Sequence, residues 1–92
     1  MKKYLLDKGV WEREVDEVIS NFEEGTTADD VVIVGIYDSA FDLGSTYIDN
    51  VVGELDHHVD AVLNYSDLGE HLAESCEEYL MLESGRIIEF EL

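Results

Sequence analysis

The chain has 92 residues and a formal net charge of −18, from 23 acidic residues against 5 Lys and Arg. That length builds one domain with a modest core, and 46% hydrophobic content with aromatics along its whole length excludes a disordered acidic tail. The charge opposes binding to nucleic acid or to an anionic membrane surface and favours a basic partner.

Lys2 and Lys3 are followed only by Tyr4-Leu5-Leu6 before Asp7, too short an apolar run for a signal peptide. Residues 2–6 read as a short strand. No segment approaches the length of a membrane span. From 11 to 24, Trp11, Val15, Val18, Ile19 and Phe22 follow helical spacing, with Glu12, Asp16, Glu17, Glu23 and Glu24 on the remaining arc. Residues 25–30 read as a loop. The β-branched run "VVIVGIY" over 31–37 predicts a buried strand. Ser45 or Thr46 is placed to cap a second helix with Tyr47, Ile48, Val51, Val52, Leu55 and Val59 inward, and Ser66 or Asp67 to cap a third. The chain closes on "YLMLE-SGR-IIEFEL", a hairpin in which Gly85 can take the positive φ such turns need. The sum is a small α+β domain over 1–92, about three helices packed on a mostly antiparallel sheet of three or four strands. A lone Cys76 excludes an intramolecular disulfide and fits a reducing compartment, so a cytoplasmic protein is expected.

Charge is distributed unevenly. After Arg13 the next Lys or Arg is Arg86, and all the acidic residues except Asp7, Glu12, Glu89 and Glu91 lie between them. In "NYSDLGEHLAESCEEYL", at 100° per residue, Asp67, Glu70, Glu74, Glu77 and Glu78 fall within an arc of roughly 100°, opposite Leu68, Leu72, Cys76, Tyr79 and Leu80. A solvated helix normally interleaves cations, because like charges at i,i+4 destabilise by a few tenths of a kcal/mol per pair. Asp49, Asp56 and Asp60 join this expected acidic surface, with Asp16, Glu17, Glu23 and Glu24 from the first helix. Duplex DNA carries one charge per roughly 1.7 Å, so a globule about 30 Å across matches a length bearing about 18 charges. Such a protein has the charge density to compete for a DNA-binding groove.

"VLNYSDLGEHL", then Tyr79, then "SGRIIEFEL" resembles the C-terminal end of the ArdA-type antirestriction proteins, with Tyr65, Gly69, Leu72, Tyr79, Gly85 and Phe90 at matching places. "VDEVISNFEEGTTADDVVIVGIYDS" is more loosely similar to an earlier part of that family, with Tyr37 and Asp38 in register. Glu70-His71 replaces the family's Arg-Asp, so any role of that arginine does not transfer, and the chain would be an abbreviated version. The resemblance implies an acidic cytoplasmic DNA mimic carried by mobile elements. Its partner would be a DNA-binding defence enzyme, first of all a type I restriction–modification complex. It also implies a homodimer, expected here through the hairpin residues Tyr79, Ile87, Ile88 and Phe90. Alternatives are an anti-CRISPR protein, another acidic inhibitor or adaptor of a basic nucleic-acid-binding protein, and a halophilic acidic domain of unrelated function.

Catalytic and metal chemistry have little support. His57 and His58 in "DHHVD" lie 100° apart on a helix, no His-x₃-His or Cys-x₂-Cys pair exists, and no serine sits in a nucleophile motif. No cofactor, metal site or enzymatic activity is expected.

Overall fold

The computed structural model describes residues 1–54 and 56–91. Leu55, expected inward on the second helix, lies outside them. The described elements are helices α1 (Lys2–Lys8), α2 (Val15–Ser20), α3 (Ala40–Tyr47), α4 (His57–Val62) and α5 (Tyr65–Ser75), and strands β1 (Ile33–Tyr37), β2 (Tyr79–Met81) and β3 (Ile87–Phe90). The strands form one antiparallel sheet in the order β1-β3-β2. The fold is the expected α+β class, with five helices rather than about three.

Residues 2–6 are helical, which corrects the expected strand. Met1, Tyr4 and Leu5 share a helical face, and Leu5 is fully buried among Val10, Val15 and Val18. Gly9, at φ 106°, ends α1 by donating to the carbonyls of Leu5 and Leu6. The helix expected over 11–24 is shorter, a 3-10 turn (Glu12–Glu14) leading into α2. It stops because Ser20 Oγ and Asn21 Nδ2 both donate to the Glu17 carbonyl, at 2.7 and 2.8 Å, in place of the helical ladder. Val15 and Val18 are buried as expected; Trp11 and Ile19 are exposed. A further 3-10 turn, Ala28–Asp30, occupies part of the expected loop.

The sheet divides two cores. On one face Ile33, Leu82 and Ile88 pack with the α1–α2 layer; on the other Ile87 packs with Leu43 of α3 and Leu72 of α5. Ile33 and Ile36 are an odd number apart yet face the same core, because a bulge between Ile33 and Gly35 shifts the register of β1 on β3. The closing hairpin forms as expected, with Gly85 at φ 94°.

Helix α3 begins at Ser39, whose hydroxyl accepts the Asp42 N–H at 3.2 Å, and not at Ser45 or Thr46. Its inner face is Ala40, Leu43, Gly44, Tyr47 and Ile48, one helical stripe. A π-helical turn, Ile48–Val52, then rotates the phase, and Val51, Val52 and Val59 are exposed rather than inward. Helix α5 is capped by Asn64, whose side chain accepts the Asp67 N–H at 3.0 Å, and not by Ser66 or Asp67.

Helices α3 and α5 meet through glycines. A Cβ on Gly69 would overlap the Ala40 carbonyl oxygen and lie 2.9 Å from Ala40 Cα; one on Gly44 would overlap the Tyr65 carbonyl oxygen. Only glycine permits that approach. The α1–α2 layer, the sheet and the α3–α5 pair give extents of 48 × 22 × 22 Å. The chain is therefore longer than the roughly 30 Å expected of a sphere-like domain of this length.

Candidate partner-binding surface

The surface is built by removing cations from it. Arg86 is buried, and its Nη1 lies 2.6 Å from Glu14 Oε1. Glu14 also accepts from Ser84 Oγ at 2.9 Å and from the Trp11 backbone N–H at 3.0 Å. Arg86 Nη2 donates to the Gly9 carbonyl at 3.1 Å, and the guanidinium lies 3.9 Å from the Trp11 ring centre. Arg86 Nε has no hydrogen-bond partner among the described residues, and the exposed Asp38 carboxylate lies 4.0 Å from it. The one Lys or Arg of the C-terminal half thus pins the hairpin to the 3-10 turn instead of facing solvent. Lys2, Lys3 and Lys8 lie in or beside α1, and Arg13 in the 3-10 turn after it. The α3–α5 layer contains no Lys or Arg.

Asp67, Glu70 and Glu74 are exposed along α5, as the helical spacing predicts. Asp67 lies in the first turn, where the helix dipole favours a carboxylate. Glu77 and Glu78 are not on this helix. It ends at Ser75, and both occupy the turn into β2, which corrects the single-arc reading. The chain must reverse there so that Tyr79 and Leu80 can pair with Glu89 and Ile88. Asp49 is exposed on the π-helical turn. Asp56 caps α4, accepting the His58 N–H at 2.9 Å. Asp60 accepts the Tyr65 hydroxyl, and that bond is the main cause pushing the Tyr65 phenol up. All residues of α4 are exposed, so Asp56 and Asp60 stand clear of the core.

Asp16, Glu17, Glu23 and Glu24 belong to the opposite layer. Glu17 is half-buried, its Oε2 accepting the Glu83 N–H at 2.9 Å; the other three are exposed. Asp67, Glu70 and Glu74 on α5 and Asp16 and Glu17 on α2 therefore lie on opposite sides of the sheet, while Glu77 shares a cleft with Asn21 and Phe22.

Of the residues expected at a homodimer interface, Ile87 and Ile88 have no exposed surface. Each points into one of the two cores, so neither side chain can meet a second copy without unfolding its own; that corrects the expectation. Tyr79 and Phe90 are half-buried. Phe90 packs edge-on against Phe22, with ring centres 5.7 Å apart.

Sequence reasoning missed Glu89. It shares the inward face of Ile87 and pairs across the strands with Gly35 and Tyr79. Its Oε1 accepts the Tyr37 hydroxyl at 2.7 Å. Burial and then this carboxylate push the Tyr37 phenol up, and the Tyr79 phenol is raised by the same two causes in the same order. The signal was the alternation in "IIEF", which puts a carboxylate in phase with a core isoleucine.

Among the described residues no group of three or more His, Cys, Asp or Glu is arranged to hold a metal ion, and no helix is long and apolar enough to cross a membrane. Comparison with protein-family models, with curated proteins and with solved structures finds no match.

Proposed function

We propose that the chain is a cytoplasmic, non-enzymatic DNA mimic that occupies the DNA-binding site of a defence enzyme. A type I restriction–modification complex is the first candidate, on the resemblance to ArdA-type proteins. The supporting observation is the disposition of charge. With Arg86 consumed in a buried ion pair and the other cations on α1 and the turn after it, the α3–α5 layer offers a basic groove carboxylates and no Lys or Arg. Length adds to this. An extent of 48 Å corresponds to about 14 base pairs at 3.4 Å each, against about 9 for a 30 Å globule. That stretch of duplex bears about 28 charges, so a net −18 spread over the whole surface is a diluted imitation. One chain has useful reach alone, and a homodimer extends it without being required for it.

The test is competition. Binding to the enzyme should be displaced by duplex DNA and should weaken as salt rises. Simultaneous binding of enzyme and DNA, with no mutual effect, refutes the proposal.

A second reading has its own observation. Exposed carboxylates on both sides of the sheet are what adaptation to high salt requires, since it charges a surface without regard to direction. On that reading the protein folds fully only in concentrated KCl and ignores DNA-handling enzymes at every salt concentration.

A further inference from the structure

A cleft of about 220 Å³ opens between the α3–π-helical segment and the sheet, lined by Tyr37, Thr46, Tyr47, Asn50, Tyr79 and Glu89 around an apolar patch. We propose that this cleft receives one guanidinium group, an arginine side chain presented by the basic protein that the acidic surface binds. The inference rests on the function proposed above and specifies its contact.

Size comes first. Pockets that enclose whole small molecules measure about 300–1,000 Å³, so this one suits a single side chain. Charge comes second. Glu89 is a half-buried carboxylate on the central strand, and among the described residues no Lys, Arg or His lies within 4 Å of it. The Tyr37 hydroxyl donates to one of its oxygens, and the other is accessible and free to accept from an incoming donor. A cation entering the cleft would complete that coordination.

Shape then selects guanidinium over ammonium. Three tyrosines, from β1, α3 and β2, line the cleft, with Thr46 and Asn50 supplying further oxygen acceptors. A guanidinium is planar, weakly hydrated and carries five N–H donors. It can pair with the carboxylate while lying against aromatic rings, whereas an ammonium is a strongly hydrated point charge.

The experiment titrates the isolated protein with N-acetyl-arginine-N-methylamide and follows the tyrosine ring resonances by NMR. Saturable shifts are expected in Tyr37, Tyr47 and Tyr79, with the lysine counterpart binding more weakly. Glu89→Gln should weaken the arginine probe about tenfold, as loss of its charge partner does. Asn50→Leu, at an exposed position on the rim, should reduce the shifts by filling the cleft while leaving the core signals unchanged. Tighter binding of free L-arginine than of the blocked amide would overturn the assignment to a protein side chain. Absence of saturable tyrosine shifts, or equal affinity for wild type and Asn50→Leu, would overturn the site itself. No enzyme is present, so this outcome is independent of competition with DNA: arginine binding without DNA competition refutes only the mimic reading, and competition without arginine binding refutes only the cleft.

Discussion

Replacing Gly69 with Ala sets two effects of opposite sign against each other. Alanine is favoured over glycine in a helix interior by about 1 kcal/mol, so α5 in isolation should gain. In the folded chain the new methyl would lie 2.6 Å from the Ala40 carbonyl carbon and 2.9 Å from its Cα. Non-bonded carbons settle at about 3.5–4.0 Å, and the overlap with the Ala40 carbonyl oxygen is deeper still, so α3 and α5 must part by at least about 1 Å at their closest point. A gap of 0.5–1 Å forfeits about a quarter to a half of the dispersion well for each contact across it. Leu43, Leu72 and Ile87 share that core, and burying each is worth about 1.5–3 kcal/mol. The loss is therefore about 2–4 kcal/mol, and subtracting the propensity gain leaves a net cost of about 1–3 kcal/mol, the usual range for overpacking. For a domain of this length that is a sizeable share of a total of about 5–14 kcal/mol. Urea unfolding followed by far-UV circular dichroism measures it, as a lower midpoint at unchanged slope. Glu70→Ala, exposed on the same helix, is the control and should change stability by about 0.5 kcal/mol at most. A Gly69→Ala protein as stable as wild type would show that the helix pair is not held at glycine contact.

Arg86→Met should destabilise by about 3–5 kcal/mol, because it leaves Glu14 buried without its cation, while Arg86→Met combined with Glu14→Leu should recover much of the loss in the same urea assay. The raised phenols of Tyr37, Tyr79 and Tyr65 are held protonated by the fold, so their contribution is fully present below the ordinary tyrosine value near 10. Above it the unfolded chain ionises first and stability falls; phenolate absorbance of the native protein should therefore lag that of the denatured chain as pH rises. Glu70→Gln with Glu74→Gln should leave the fold intact or more stable, since it relieves a like-charge i,i+4 pair, and should weaken capture of the DNA-handling enzyme more than either single change. Unaltered capture by the double variant would remove α5 from the binding face.

The class of fold, the strand character of β1 and the closing hairpin were legible in the sequence, because alternation and β-branched runs are local signals and Gly85 permits the turn they require; the burial expected of 31–37 was not, since β1 is an edge strand and Val32 and Val34 are exposed. The exposure of Asp67, Glu70 and Glu74 was legible for the same reason: helical phase is set by the residues themselves. Termini were less legible. Helix α5 stops at Ser75 because β2 must reverse and pair with β3, so Glu77 and Glu78 leave its face. Residues 2–6 became helical because Leu5 reaches a core assembled from Val10, Val15 and Val18, which a five-residue window does not contain. Ile87 and Ile88 looked available for a dimer, but β3 is covered on both faces. The sequence alone determined that the protein is acidic and where along the chain its cations are missing. Only the tertiary structure decided that Arg86 is spent on Glu14 across a separation of 72 residues, and that Glu89 faces three tyrosines with no Lys, Arg or His within 4 Å among the described residues. Both depend on which strands pair, and strand pairing is chosen by the burial of distant side chains together, a sum that no local stretch contains.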